Sequence, residues 1–364
     1  MSKAIVKQNV VRQPKSDHSL TIGIDLGDRW GHYCVLDAEG EVIEEGRLRM
    51  TRSAFTAHFA GPRARVAIET GAHSAWISQH LSSLGHEVIV ANARELRAIS
   101  GSNSKHDAAD AEKLARYARV DPRILHPIQH RNLDAQADLV LIRARAAGVR
   151  ARTQLVNAAR GTVKAFGFRL QSCSTRSFAR KQCGDLPSNL NEALRPLFNA
   201  IEALSLQIKE YERRIALLAQ NRYPETARLQ QVHGVGSLTA LTFVLTLTDK
   251  NRFAKSRDVG CYLGLRPRRY QSGGHDPELG ITKAGDGYLR SLLVECSQHV
   301  LGHFGRDSAL RRWGLKLAQR GGKNARKRAI VAVARKLAIL LHRLWVSGEV
   351  YQPFYGSNAE AAAS

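Results

Sequence analysis

Four carboxylates stand out by type and position. Asp25 closes the apolar run TIGID, and Glu69 closes RVAIE ahead of Thr70 and Gly71. Asp107 and Asp110 open a helical pattern in KHDAADA. Acids at strand ends beside glycines place oxygen ligands in a cleft that a substrate backbone can enter. Asp107 and Asp110, three apart, share one helix face. Hard oxygen ligands drawn from several segments, with no paired His or Cys, suit Mg²⁺ or Mn²⁺. Two such ions about 3.5–4 Å apart clamp the attacking and leaving oxygens of a phosphodiester. Clustered acids repel one another without a cation, so a metal also accounts for their coexistence. Taken singly, Asp25 fits a turn or the phosphate loop of an actin-like ATPase, and Asp107 fits a helix N-cap. The set, in this order and at these element ends, points to metal-assisted phosphodiester chemistry.

The elements that must position these acids follow from the hydrophobic pattern. TIGID, HYCVLD and VIEEGRLRM read as three strands joined by tight turns. RSAFTAHFA is a short helix and RVAIE a fourth strand. SAWISQHLSSLG is a helix ending at Gly85, HEVIVA a fifth strand, and DAADAEKLARYAR a helix. Three strands followed by alternating helix and strand is the order of an α/β RNase H-like (RuvC-like) sheet. The middle is helical. Leu190, Leu194, Leu197, Ile201, Leu204, Ile208, Tyr211, Ile215 and Leu218 keep a 4-3 step, a heptad seam. A narrow seam with charged flanks favours an oligomerising coiled coil over an intramolecular hairpin. After Pro224, Gly234 and Gly236 lie between apolar helical stretches as in a helix–hairpin–helix, whose turn presents backbone N–H groups to a phosphate. A plain helix–turn–helix packing unit is the alternative. Further helices are expected near 308–320 and 324–346. The chain thus divides into a flexible basic tail (1–19), an RuvC-like domain (20–130), a helical coiled-coil domain (131–223), a mostly α domain (224–347) and a tail (348–364).

Charge separates these parts. The 364 residues carry a net +23, distributed as +2 over residues 1–130, +8 over 131–225 and +13 over 226–364. A near-neutral acid-bearing domain beside strongly basic ones divides metal chemistry from polyanion binding, and nucleic acid is the default polyanion. An apolar fraction of 43% excludes wholesale disorder. No run of 18 apolar residues predicts a membrane span, and the N-terminus lacks the apolar core of a secretory signal. Five scattered cysteines without CxxC pairs read as reduced thiols, which places the chain in the cytoplasm.

The ordered D-E-D-D acids, the helical linker and the segment GVG…YLGLRPRRYQSGG…ITKAGDGYLR resemble the DEDD transposases of the IS one-ten insertion-sequence family, and more nearly its one-one-one-one branch. The likeness spans about residues 20–347, and only the tail before Thr21 is longer than that pattern leads one to expect. It implies that Asp25, Glu69, Asp107 and Asp110 hold Mg²⁺ (or Mn²⁺). It implies that Ser272, in Tyr270-Gln271-Ser272-Gly273, is the nucleophile of a covalent phosphoserine intermediate. The partners it implies are donor and target double-stranded DNA, a structured noncoding guide RNA, and further copies of the chain, from dimer to tetramer, on the bacterial nucleoid. The residues agree with it. Gly273 and Gly274 leave the Ser272 hydroxyl open to a phosphodiester. Arg266, Arg268, Arg269, Lys283 and Arg290 flank it with cations that can bind phosphate oxygens. Lys323, Arg326, Lys327 and Arg328 start a further helix and, with Gly234 and Gly236, complete the candidate nucleic-acid contacts.

The expected function is therefore a transposase that cuts and rejoins DNA without ATP, since no GxxxxGK[ST] loop is present. The rival is an RuvC-like structure-selective endonuclease using water, in which Ser272 is dispensable. An actin-like ATPase lacks its second glycine loop, and a binding scaffold without chemistry would not need Asp25. Cys296, His299 and His303 have metal-like C-x2-H-x3-H spacing, but packing roles are favoured. His106 is expected in solvent, and Trp76, Trp313 and Trp345 in cores.

Overall fold

The computed structural model describes residues 19–92, 107–181, 186–269 and 279–354, with backbone alone at Ala179 and Arg180. The chain forms two compact units, Met1–Asn132 and Leu133–Ser364.

In the first unit the strands are β1 (Thr21–Leu26), β2 (Trp30–Leu36), β3 (Val42–Arg49), β4 (Arg65–Glu69) and β5 (Glu87–Ala91), in the spatial order β3-β2-β1-β4-β5. β1–β2 and β2–β3 are antiparallel, while β1–β4 and β4–β5 are parallel. This is the mixed sheet expected of an RNase H-like domain. Helices α1 (Arg52–Phe59) and α2 (Ser74–Ser83) serve one face: Ile22, Ile24, Tyr33, Val35, Val66 and Ile68 pack with Phe55, Phe59, Ile77 and Leu81. Thr51 caps α1 through its hydroxyl, and Gly85 follows α2 at φ +94°, the left-handed residue that ends a helix.

The other sheet face carries α3 (Asp107–Val120). Ala111 and Ala115 pack on Cys34 and Leu36, and Leu114 and Ala118 on Ala67. At the centre of that contact stands Gly23, where a Cβ would lie 2.0 Å from the Ala111 carbonyl oxygen and 2.5 Å from the Ala115 nitrogen. α3 therefore seats its backbone directly on β1. Arg65 donates to the Ala118 carbonyl at 3.3 Å, Arg116 to that of Gly40 at 3.2 Å and Arg119 to that of Ala38 at 2.6 Å, tying the helix to β4 and to the β2–β3 turn.

The second unit is helical: α4 (Leu133–Lys164), α5 (Phe178–Lys181), α6 (Ser188–Arg222), α7 (Thr226–Leu229), α8 (Ser237–Leu247), α9 (Arg257–Tyr262), α10 (Gly287–Leu301), α11 (Ala309–Ala318) and α12 (Ala325–Ser347). One row of the heptad seam, expected to pair protomers, packs against α4 of the same chain. Leu190, Leu194, Phe198 and Ile201 of α6 bury against Val156, Ala159 and Val163 of α4, and Ile215 and Ala219 against Leu139 and Ile142. α4 carries its own 4-3 row, so the two long helices satisfy each other as an intramolecular hairpin. The row Leu194, Ile201, Ile208, Ile215 is buried, while Leu197, Leu204, Tyr211 and Leu218 are only half-buried. α8 to α12 share one core, with Val333, Leu337, Leu341 and Leu344 of α12 facing Phe243, Val259, Leu289 and Leu293. Trp345 lies in that core and Trp313 packs at its edge, while Trp76 lines the α1–α2 core. Among the described residues, no helix is long and apolar enough to cross a membrane.

Candidate metal centre

β1 and β4 run parallel in the register Ile24↔Ile68, so the next residues, Asp25 and Glu69, end adjacent strands side by side. Each acid lies two residues beyond a small residue, Gly23 or Ala67, on which α3 packs, and alternation along a strand gives them that same face. The first turn of α3, with Asp107 and Asp110, thus rises beside Asp25. The chain places these acids together because α3 sits on residues without bulk.

A histidine that the sequence reading missed joins them. His32 is paired directly with Asp25 across the β1–β2 ladder. Its Nδ1 lies 3.6 Å from Asp107 Oδ2. Single ligand atoms of Asp25, His32 and Asp107 all lie within 4.8 Å of one another. About 4.2 Å separates opposite ligands of an octahedral ion with 2.1 Å bonds, so a modest contraction or a bridging water closes the set. The expectation of oxygen ligands without a histidine is thereby amended. Antiparallel pairing was the signal: His32 falls opposite Asp25 once the hairpin turn at Gly27–Arg29 is counted out.

The electrostatics ask for a cation. Burial pushes the Asp25 carboxyl above its ordinary range, and the charges of Asp107 and Asp110 push it the same way. His32 and the Leu26 backbone N–H oppose them. A divalent ion would reverse that balance, so this donor set fits the metal that the acids imply. Asp110 is held by Lys113 Nζ at 3.0 Å, a protein cation occupying part of its coordination capacity. Glu69 stands half-buried at the neighbouring strand end, outside the 4.8 Å group. Cys34, behind the cluster, is pushed up to about 11 by burial and carries no reactive thiolate.

The segment expected to carry the nucleophile, Tyr270–Gly274 with Ser272, lies outside the described residues, as does His106. The chain on either side of that segment is ordered as a two-stranded base. Pro267 bridges Ile281, Arg268 N–H donates to Gly280 O at 2.9 Å, and Thr282 N–H donates to Arg266 O at 2.9 Å. Gly264 and Gly285, both at φ +68°, let this base press on its neighbours, with Cβ positions 2.2 Å from Ala284 N and 2.1 Å from Tyr262 O. Arg290 donates from one nitrogen to Leu263 O at 2.9 Å and Ala284 O at 2.6 Å, so it braces the residues that flank that segment. Arg266, Arg268, Arg269 and Lys283 are exposed around it, and Lys323, Arg326, Lys327 and Arg328 are exposed at the start of α12.

The glycine turn has its own geometry. Gly234 takes φ +91° with its Cα against α10, and Gly236 precedes α8 with nothing within 4 Å of where a Cβ would stand. The limb before the turn, α7, is a single turn of helix, and α8 is buried along its length. Cys296, His299 and His303 do not converge. Cys296 is buried against the Thr239 hydroxyl at 3.5 Å, His299 faces His233 at 3.1 Å between ring nitrogens, and His303 packs on Phe304.

Known proteins resemble this chain across both units. Residues 22–167 match a transposase family model, that of the IS110-type DEDD transposases. Residues 226–313 match the model described as transposase IS116/IS110/IS902 family. The transposase for insertion sequence element IS1328 of Yersinia enterocolitica is 34% identical over 283 residues, covering 76% of this chain and 82% of that protein. The transposase for IS1111A of Coxiella burnetii is 26% identical over 339 residues, 91% of each chain. The pilin gene-inverting protein of Moraxella lacunata is 25% identical over 300 residues, 81% of this chain and 84% of that protein. With these matches across both units, the chain belongs to the IS110 family of insertion-sequence transposases.

Proposed function

We propose that this transposase cuts and rejoins DNA through a covalent phosphoserine intermediate, with Asp25, Glu69, Asp107 and Asp110 holding Mg²⁺ or Mn²⁺ and Ser272 as nucleophile. The observation that carries the reading is the gathering of Asp25, His32 and Asp107 within 4.8 Å of one another, where burial and then the charges of Asp107 and Asp110 suppress the ionisation of Asp25. Bound there, a divalent cation supplies charge stabilisation to a pentavalent phosphate. The chain does the rest. The Ser272 hydroxyl gives up its proton and its Oγ attacks phosphorus. The P–O3′ bond breaks, the departing O3′ takes a proton, and the 5′-phosphate stays on the serine. A different strand's 3′-OH then attacks the same phosphorus and releases Ser272, so bond energy is conserved without ATP. Arg266, Arg268 and Lys283, exposed beside the serine segment, supply cations for the phosphate oxygens.

The same reading has donor and target DNA as substrates, a structured noncoding RNA as guide, and several copies of the chain acting together in the bacterial cytoplasm. A gene-inverting protein among the relatives supports chemistry that rejoins as well as cuts. The test is a nicked DNA substrate incubated with Mg²⁺ and then denatured. Wild type should carry a DNA adduct that maps to Ser272. Ser272→Ala should lose both adduct and strand exchange, and Asp25→Ala should lose cleavage while still binding DNA. A Ser272→Ala protein that cuts at the wild-type rate returns the water-using nuclease. Sequencing of small RNA copurified with the protein tests guidance, and recovery of no specific RNA removes it.

A further inference from the structure

Beside the metal centre, on the same sheet face, is a group that the cutting chemistry does not use. Trp30 opens β2 two residues before His32, so both side chains take the face that carries α3. Across the β2–β3 ladder Trp30 pairs with Arg49, and His32 with Arg47. Both guanidiniums lie on the indole, Arg47 at 4.9 Å and Arg49 at 5.2 Å from the ring centroid. The residue nevertheless remains 39% exposed, at the first position of β2, one strand in from the sheet edge. Both arginines are exposed, and among the described residues neither has a carboxylate within ion-pair distance. A tryptophan left in solvent and flanked by two uncompensated cations is unusual in a region whose net charge is only +2. Core packing does not account for it, because Trp30 belongs to none of the hydrophobic clusters of the sheet.

We propose that Trp30, Arg47 and Arg49 form a stacking platform for an unpaired DNA nucleotide next to the phosphate held at the metal centre. Aromatic rings and arginine planes bind splayed bases regardless of sequence, and the arginines also neutralise the adjoining phosphates. The spacing suits a strand. Two residues along β2 put Trp30 about 7 Å from the Asp25–His32 pair. Two strand separations put Arg47 about 10 Å from Asp25. Those are the distances over which one nucleotide steps from a phosphate to its neighbour's base and on to the next phosphate. A strand that is rejoined to a different partner must unpair from its own, and the platform gives the base beside the cut a place to go. The inference rests on the metal centre being the site that receives the scissile phosphate.

The test is binding of the full-length chain in EDTA, which separates it from cleavage. The probe is a DNA duplex with 2-aminopurine at a single unpaired position, set against a fully paired duplex and an RNA of the same sequence. Wild type should quench the unpaired 2-aminopurine and prefer that duplex. Trp30→Phe should keep the quenching. Trp30→Ala should abolish it and shrink the preference for the unpaired duplex on the order of tenfold. Arg47→Gln with Arg49→Gln leaves the ring in place and should reduce the slope of log affinity against log salt by about 1.5. If Trp30→Ala fails to fold, the arginine pair carries the test. Unchanged discrimination in Trp30→Ala, equal losses on paired and unpaired DNA, an effect confined to RNA, or an unaltered salt slope would each overturn the proposal. Normal binding behaviour with an Asp25→Ala protein that still cuts would indict the metal-centre reading instead.

Discussion

Gly23→Ala tests the geometry of the centre without touching a ligand. The added methyl carbon would lie 2.0 Å from the Ala111 carbonyl oxygen and 2.5 Å from Ala115 N, whereas ordinary contact begins at 3.4 Å. Both clashing atoms belong to helical backbone and cannot rotate aside, so α3 must withdraw from β1 by about 1.4 Å along the line of contact. Asp107 and Asp110 ride on the first turn of that helix and withdraw with it, while Asp25 and His32 stay on the sheet. The 3.6 Å approach of His32 to Asp107 opens toward about 5 Å, beyond the span of one octahedral ion. The expected stability cost is about 1–3 kcal/mol. The expected loss of cleavage is about 100-fold, the usual penalty for misplacing a catalytic group by 1 Å. Mn²⁺ affinity measured by titration calorimetry or electron paramagnetic resonance should fall in parallel, with DNA binding retained. Gly161→Ala, in α4 with nothing within 4 Å of its Cβ, is the control and should be neutral or stabilising by up to about 1 kcal/mol. A Gly23→Ala protein with wild-type metal affinity would refute the view that this contact sets the site.

Three further perturbations follow from the same geometry. Asp25 has its folded-state pKa raised, so the metal-free protein loses stability as pH rises from 3.8 through the raised value. Asp25→Asn should therefore raise the metal-free melting temperature at neutral pH, and the advantage should vanish at pH below 3.8. Mg²⁺ at ten times its dissociation constant should stabilise wild type by about 1.4 kcal/mol and leave Asp25→Asn unmoved, an outcome that calorimetry reads directly. Lys113→Gln frees Asp110 from a half-exposed ion pair, so metal affinity should rise by less than about fivefold; a fall would show that Lys113 orients Asp110 rather than competing for it. Ile201→Ala, fully buried between α4 and α6, should cost about 2–4 kcal/mol in urea unfolding, independent of protein concentration; a concentration-dependent loss would restore the intermolecular seam.

How much of this was legible in the sequence differs by element, and the reasons are physical. The strands of the first unit were readable because each apolar run is short and bounded by a turn or an acid, and α3 because its polar and apolar positions alternate at helical spacing. The acids were readable as a set because strand ends and a helix start are where a sheet exposes side chains. His32 was not, because its role exists only through the β1–β2 register, and a register is a relation between segments rather than a property of either. The heptad seam shows the opposite limit. Its period was plain, but a period does not name the partner. α4 offers the same 4-3 row as another copy would, and the intervening chain is long enough for the two helices to fold back on each other. Intramolecular closure avoids the entropy of association, which is why Leu194, Ile201, Ile208 and Ile215 face α4.

Gly23 sharpens the distinction between residues that do chemistry and residues that permit it. The sequence GIDLG draws attention to Asp25, the charged residue, yet the carboxylates of α3 reach Asp25 only because Gly23, Ala111 and Ala115 present no bulk where helix and strand cross. A metal centre of this kind is specified twice. Polar residues supply ligands that burial and mutual repulsion leave in need of a cation. Small residues fix how closely the elements carrying them approach, and hence whether one ion can span the gap. The second specification is invisible to any reading based on charge or reactivity. A single methyl group there displaces a whole helix and, with it, both of the acids that the helix carries.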